Sequence, residues 1–165
     1  MYRKEEKNIK DILYILEHLR EEDKHEAMIQ SGENYVWDCL KNIMENKGDV
    51  IIGCKKSDNT PVCVGGCAEQ TKDVGIVWLL CTPEISNYQT CILRNLKKEF
   101  SKYEKKYLLI FNMLYKENKL AKKWLKKFGF KFDNLFNAKL PDGFEFFYKK
   151  KELRGLNNAA STTIS

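Results

Sequence analysis

The 165-residue sequence predicts one α/β (α+β) domain with helices flanking a β-sheet, and three observations carry that prediction. Apolar residues recur at three- and four-residue spacing through the first third of the chain, as helices require. From Val50 the period changes to short runs rich in β-branched residues, bounded by turn residues, as strands require. Beyond Pro83, helical patterns alternate with apolar strand-like runs. The resulting order is helices, three antiparallel strands, helix, strand, helix, strand.

Residues 8–19 form the first predicted helix, with Ile9, Ile12, Leu13, Leu16 and Leu19 on one face. The charged run 20–26 continues helically until Ser31 and Gly32 break it. Asn34 is placed to cap a further helix carrying Val36, Leu40, Ile43 and Met44. Residues 50–55 and 61–69 are two β-rich runs joined by Ser57, Asp58, Asn59 and Thr60, which predicts a hairpin. Residues 74–81 form a third strand, ended by Pro83, which has no N–H to donate. Asn87 is placed to cap a helix to about Tyr103, packed through Ile92, Leu93, Leu96 and Phe100. Residues 107–113 are apolar except for Asn112, as expected of a central strand covered on both faces. A last strand, 143–149, follows the Leu140-Pro141-Asp142-Gly143 turn. Residues 154–165 are small and polar, so the domain is expected to span 1–153 and the remainder to form a flexible tail.

With 43% hydrophobic and 12% aromatic residues the chain can fill one substantial core. No run of eighteen apolar residues and no basic-then-apolar leader occurs, so a cytoplasmic protein that does not enter membranes is expected. The six cysteines sit in apolar segments without CxxC spacing, which predicts free buried thiols; Cys63 and Cys67 share one strand face. His18 and His25 stand apart from any ligand spacing, and no metal is assigned. The net charge of +6 hides an asymmetry. Residues 1–82 hold 11 Lys+Arg against 15 Asp+Glu, and residues 83–165 hold 18 against 8. A basic half of this kind attracts nucleic acid non-specifically, a phosphorylated cofactor or an acidic protein, or is simply solvated.

Residues 118–130, NKLAKKWLKKFGF, are the most specific stretch. Leu120, Ala121, Trp124, Leu125 and Phe128 make an apolar stripe, and five lysines fill the other positions. Asn118 can cap the first turn, and Gly129 can take the left-handed conformation that ends a helix. This helix resembles the last core helix of the GNAT N-acetyltransferase superfamily, written N-x-x-A-hydrophobic-x-L-Y-x-x-hydrophobic-G-F. Asn118, Ala121, Gly129 and Phe130 coincide with the pattern, and Leu125 stands where many members carry a general-acid Tyr. The resemblance implies a central mixed, mostly antiparallel sheet flanked by helices. It also implies an acetyl coenzyme A site where the strand at 74–81 meets the next helix, with Leu80, Cys81, Thr82, Asn87, Gln89 and Asn118 as candidate cofactor contacts. In such enzymes a [QR]-x-x-G-x-[GA] loop lets backbone amides reach the pyrophosphate. Here the matching residues are Ser86, Asn87, Tyr88, Gln89, Thr90 and Cys91, with Gln89 at the central glycine position.

Three segments also resemble the GNAT-like phage family named for the gene 13 product of short-tailed coliphages. They are Leu19-Arg20-Glu21-Glu22-Asp23, the strand exit from Val74 through Trp78 to Glu84, and the helix at 118–130. Departures are Cys81 for the family Gly, Lys119 for Thr and Lys123 for Arg. This resemblance implies a phage accessory protein that acts in virion assembly or genome delivery by contacting phage virion or assembly proteins, in the cytoplasm of an infected bacterial host or in the virion. On that reading no cofactor is expected, and the acidic run Glu21, Glu22 and Asp23 is exposed for partner contact. The cluster around Arg20 either closes the N-terminal region or serves as a partner-binding edge. The alternative is an acetyl-CoA-dependent N-acetyltransferase, with the amine beside Leu80, Cys81 and Thr82 and Glu69 as candidate base. A third reading is nucleic-acid binding by the lysine-rich half.

Overall fold

The structure, a computed structural model, describes residues 1–4, 7–133 and 139–151. Six strands form a single sheet in the order β1-β2-β3-β4-β5-β6. They are β1 (Tyr2–Lys4), β2 (Asp49–Cys54), β3 (Pro61–Thr71), β4 (Val74–Cys81), β5 (Leu109–Tyr115) and β6 (Phe144–Lys150). Every neighbouring pair is antiparallel except β4 with β5, which is parallel. The mixed, mostly antiparallel sheet of the sequence prediction is therefore present. β1 adds an edge strand that the charged N-terminus did not suggest, pairing Tyr2 with Cys54 and Lys4 with Ile52. The expected tail, 154–165, lies outside the described residues.

Helices cover both faces. On one side lie α1 (Ile9–Glu17), α2 (Glu21–Ser31) and α3 (Tyr35–Glu45), and on the other α4 (Gln89–Lys106) and α5 (Lys119–Lys127). Ile12, Ile15 and Leu16 of α1 pack with Ile43 of α3 onto Val50, Ile52 and Val64. On the opposite face Phe100 and Tyr103 of α4 meet Cys67, Val77 and Ile110, while Trp124 of α5 joins Cys81 and Ile92. Cys63 and Cys67 both fall on this second face, as their spacing requires. All six thiols are free, and burial pushes Cys63 and Cys67 up to about 12.

Cap assignments divide. Asn8 and Asn118 accept from the amides of Asp11 and Ala121 at 3.1 and 3.3 Å. Asn34 and Asn87 make no such bond. A 3-10 turn, Gly32–Asn34, leads into α3, and another, Pro83–Tyr88, leads into α4, which leaves Asn87 inside a turn facing Glu84. The run 20–26 does not continue α1. Arg20 is extended (φ −63°, ψ 155°) and starts α2 afresh.

α5 ends in a Schellman motif. Phe130 N–H donates to Leu125 O at 3.1 Å and Gly129 N–H to Lys126 O at 3.0 Å, with Gly129 at φ 81°. A Cβ there would meet only the Lys149 side chain at 3.6 Å, so the cost of adding one is conformational. Gly129→Ala should therefore destabilise the protein by about 1 kcal/mol, read from the shift of a urea unfolding midpoint at constant slope.

Candidate active site

The parallel pair is short. β4 and β5 are in register at Val74 and Leu109, Gly75 and Ile110, and Ile76 and Phe111, and then part. The Asn112 amide spans the start of the gap, its Nδ2 donating to Val77 O at 2.9 Å, while its Oδ1 accepts from Met113 N–H. Backbone edges alternate along a strand. Val77 O and Cys81 O both receive donors from outside β3, so the odd-numbered residues of β4 turn their N–H and C=O toward the gap. Leu79 lies between them. Its N–H and C=O face the opening where β5 is no longer beside β4, leaving a short strand edge for a ligand.

Helix α2 closes the wide end of this gap with three polar side chains one turn apart. Arg20 Nη2 donates to Asp23 Oδ1 at 2.7 Å and to Asn118 Oδ1 at 3.4 Å. Asp23 Oδ2 accepts from Cys81 N–H at 2.8 Å, and Arg20 N–H donates to Cys81 O at 2.9 Å. Glu26 Oε1 accepts from Asn118 Nδ2 at 2.9 Å and from Tyr115 N–H at 3.3 Å. The chain of bonds runs from the end of β4, across α2, to the end of β5 and the cap of α5. Asp23 is 1% exposed and Asn118 2%. Burial works against the charge on Arg20, yet its bond to Asp23 outweighs that and holds the guanidinium above its ordinary value. Burial likewise pulls the Asp23 carboxyl up, opposed by Arg20 and by Cys81 N–H; with two short bonds to one carboxylate, the pair is ionic. Glu26 has no cation as hydrogen-bond partner, and burial pushes its carboxyl up to about 7.

Around this gap lies a cavity of about 730 Å³, reached by Glu26, Trp78, Leu79, Phe111, Asn118 and Leu125 among others. Leu80 also lines it, but by the same alternation its backbone faces β3. Cys81 is at the gap with both backbone groups occupied by α2. Thr82 N–H and Oγ1 both donate to Val62 O, at 2.8 and 3.1 Å, so Thr82 is a structural tie. Asn118 joins the site as a buried bridge. Asn87 and Gln89 are exposed in the turn and first residue leading into α4, away from the cavity lining. Glu69 does not reach the site. It pairs in register with Gly75, at the closed end of the gap, where Lys106 binds it at 2.8 Å and holds it below the usual carboxylate range. Glu21 and Glu22 are exposed as expected, but Asp23 is buried, so the acidic run is not one surface.

Sequence reasoning missed Leu79, Asn112 and Glu26 as site residues. Asn112 carried a signal, being the one polar residue in a buried strand. Arg20, Asp23 and Glu26 also share a helix face by their three-residue spacing, but nothing local announces what that face meets. Among the described residues no group of three His, Cys, Asp or Glu could hold a metal ion, and no helix is long and apolar enough to cross a membrane.

Comparison with known proteins places this architecture. No protein-family model and no curated protein matches the sequence. Solved structures do match. An acetyltransferase from Streptococcus agalactiae aligns at TM-score 0.64 and 16% identity, covering 90% of this chain and 97% of that one. Spermidine N-acetyltransferase from Vibrio cholerae, in complex with CoA and spermine, aligns at 0.61 and 15%, covering 91% and 95%. A GNAT superfamily phosphinothricin acetyltransferase from Sinorhizobium meliloti, in complex with AcCoA, aligns at 0.64 and 10%, covering 91% and 88%. The chain has a GNAT acetyltransferase-like fold. These likenesses overturn the expectation of a phage accessory protein acting by contacts in virion assembly or genome delivery, and back the N-acetyltransferase alternative instead. The expectation of no cofactor also loses its support, since two of these neighbours are complexes with CoA or AcCoA.

Two outcomes test the α2 bridge. Asp23→Ala leaves a buried guanidinium unpaired and should cost about 3–5 kcal/mol in urea unfolding, whereas Glu21→Lys should stay within about 0.5 kcal/mol. Glu26 adds a pH dependence. Its folded pKa, about 7, lies above the unfolded value of 4.5, so the unfolded state releases its proton first and stability falls as pH rises through that interval. Glu26→Gln should flatten this decline in unfolding free energy measured from pH 5 to pH 8.

Proposed function

We propose that this protein is an acetyl coenzyme A-dependent N-acetyltransferase. The observation that carries the proposal is the unpaired edge of β4 at Leu79, open above a largely apolar cavity, in a sheet whose two central strands part. An extended thioester arm rich in amides is the kind of ligand such an edge accepts, because its C=O and N–H groups can replace the missing strand. Leu79 N–H and C=O would hold the arm, and the Leu79 and Leu96 side chains would pack against it. A cavity of about 730 Å³ has room for the acyl end and a small acceptor. The fold shared with acetyltransferases supports the same reading.

The phosphate end fits less closely. Residues 83–88 form a 3-10 turn without glycine, so side chains of Asn87 and Tyr88 stand where a bare backbone would approach a pyrophosphate. The first turn of α4 still offers backbone donors and the positive end of the helix dipole, with Gln89 and Thr90 exposed beside it. In this proposal Gln89 and Asn87 serve as side-chain donors to phosphate in place of a glycine cradle. Leu125, half-buried against the cavity, gives no proton to the departing thiolate; the acceptor's own nitrogen supplies it. The motif likeness to the phage family is kept as a proposal about ancestry alone.

Acetyl coenzyme A should bind the purified protein with a dissociation constant in the micromolar range, weaker than a glycine cradle would give, and CoA thiol should appear when a primary amine is added. Calorimetry and a thiol-release assay measure the two. Absence of both binding and thiol release across a panel of primary amines would defeat the proposal.

A further inference from the structure

Glu26 stands out among the ionisable groups that line the cavity. Asp23 and Arg20 neutralise each other, and Asp23 is also held by Cys81 N–H. Glu99, on α4, is bound by Lys102 at 3.1 Å. Met1, Cys39, Cys63 and Tyr103 also line the cavity, and burial pushes both thiols up. Glu26 has no cation as partner, and both hydrogen bonds it receives fall on Oε1. Oε2 is therefore left for a ligand. The donors on Oε1, Asn118 Nδ2 and Tyr115 N–H, belong to the cap of α5 and the end of β5, so they anchor that oxygen without neutralising the carboxylate's charge.

The surroundings describe what would complete that charge. On the α2 side of the sheet the cavity wall is Trp78, Phe111, Met113 and Phe146, with the rings of Phe111 and Phe146 in contact at 5.4 Å. A cavity that holds both aromatic rings and a carboxylate favours a cation attached to an apolar body. We infer that Glu26 is the acceptor-binding carboxylate of this site, taking the ammonium group of a small primary amine with an apolar body and receiving its proton. This inference rests on the N-acetyltransferase reading.

In the step it implies, the ammonium gives one proton to Glu26 Oε2, and the freed nitrogen lone pair forms a bond to the acetyl carbon. The carbon–sulfur bond breaks with its electron pair going to sulfur, which takes the second proton from nitrogen. Glu26 then returns its proton to water, so one amide, one thiol and one proton leave for each ammonium and thioester consumed. A carboxyl lifted by burial toward neutrality is suited to this exchange, because it ionises near working pH yet remains a better proton acceptor than an exposed carboxylate. The charges acting on it are Asp23 and Arg20 on its own helix; β5 and α5 present neutral donors, and α3 contributes the Cys39 thiol to the same cavity.

The test uses the full chain with acetyl coenzyme A and two probes, 2-phenylethylamine and the hydrophilic ethanolamine. The wild type should acetylate 2-phenylethylamine with the higher kcat/KM, with an ascending pH limb centred near 7. Glu26→Gln should lose about 100-fold or more in kcat/KM and lose that limb. Its calorimetric affinity for acetyl coenzyme A should be unchanged, and Glu26→Asp should recover part of the rate. Binding of 2-phenylethylamine without cofactor gives an independent arm: the wild type should bind it and Glu26→Gln should not. Acetyl transfer that survives Glu26→Gln with its rate and pH limb intact overturns the role of Glu26 while leaving the N-acetyltransferase reading standing. Failure of the wild type to bind acetyl coenzyme A, with amine binding still dependent on Glu26, overturns the reading of the reaction and keeps the amine site. Equal amine binding by wild type and Glu26→Gln overturns the inference.

Discussion

A parallel strand pair ordinarily continues as long as both strands do, because a buried backbone amide without a partner costs free energy. Here β4 and β5 part after Ile76, and the site depends on that parting. The freed groups of β4 are compensated one by one: Val77 O by the Asn112 amide, and Cys81 N–H and O by Asp23 and the Arg20 amide. Leu79, between them, is left open to the cavity. The sheet thus keeps one strand edge available at its centre, between helices on both faces.

The bridge across the wide end of the gap explains why a helix of low amphipathicity is held in the core. α2 buries only Ala27 and Asp23, too little apolar surface to fix its position by packing alone. Its place is set by directional bonds from Arg20, Asp23 and Glu26 to Cys81, Asn118 and Tyr115. Removing charged groups from water is expensive, and a buried pair often adds little net stability over apolar packing. What it does supply is a fixed geometry at the mouth of the site. The sequence offered two roles for the cluster around Arg20; the structure uses it to close the N-terminal region onto the sheet.

The lysine-rich half is less uniform than its charge count implies. Lys106 binds Glu69, Lys122 binds Glu145 and Lys149 binds Glu104, so several cations are partnered across elements. On α5 the remaining lysines are exposed around a stripe that buries Trp124, as an amphipathic surface helix requires. The two departures from the GNAT pattern, Leu125 and Gln89, are also local matters. Leu125 removes a proton donor where it lines the cavity, and Gln89 crowds a phosphate loop outside it, but neither occupies the open edge of β4.

Much of the fold was legible in sequence because its causes are local. Period fixed α1, α3, α4 and α5 to within a few residues, the turn residues 57–60 fixed the β2–β3 hairpin, and Gly129 announced its positive φ. The site was legible at Asn118, where the capping pattern named the residue, at Leu80 and Cys81, which the GNAT resemblance named and which lie at the gap, and faintly at Asn112. The rest depends on contacts between positions far apart in the chain: Asp23 with Cys81, and Glu26 with Tyr115 and Asn118. Glu69 and Glu26 look alike as residues, yet one lies exposed beside a lysine and the other lines a cavity without a cation partner. By itself the sequence determined the elements, their order and which faces are apolar, since these follow from side-chain periodicity and backbone preference. Only the tertiary structure decided where the strands part, which carboxylate enters the gap and which backbone edge is left open, because each is a question of which distant groups satisfy one another when buried.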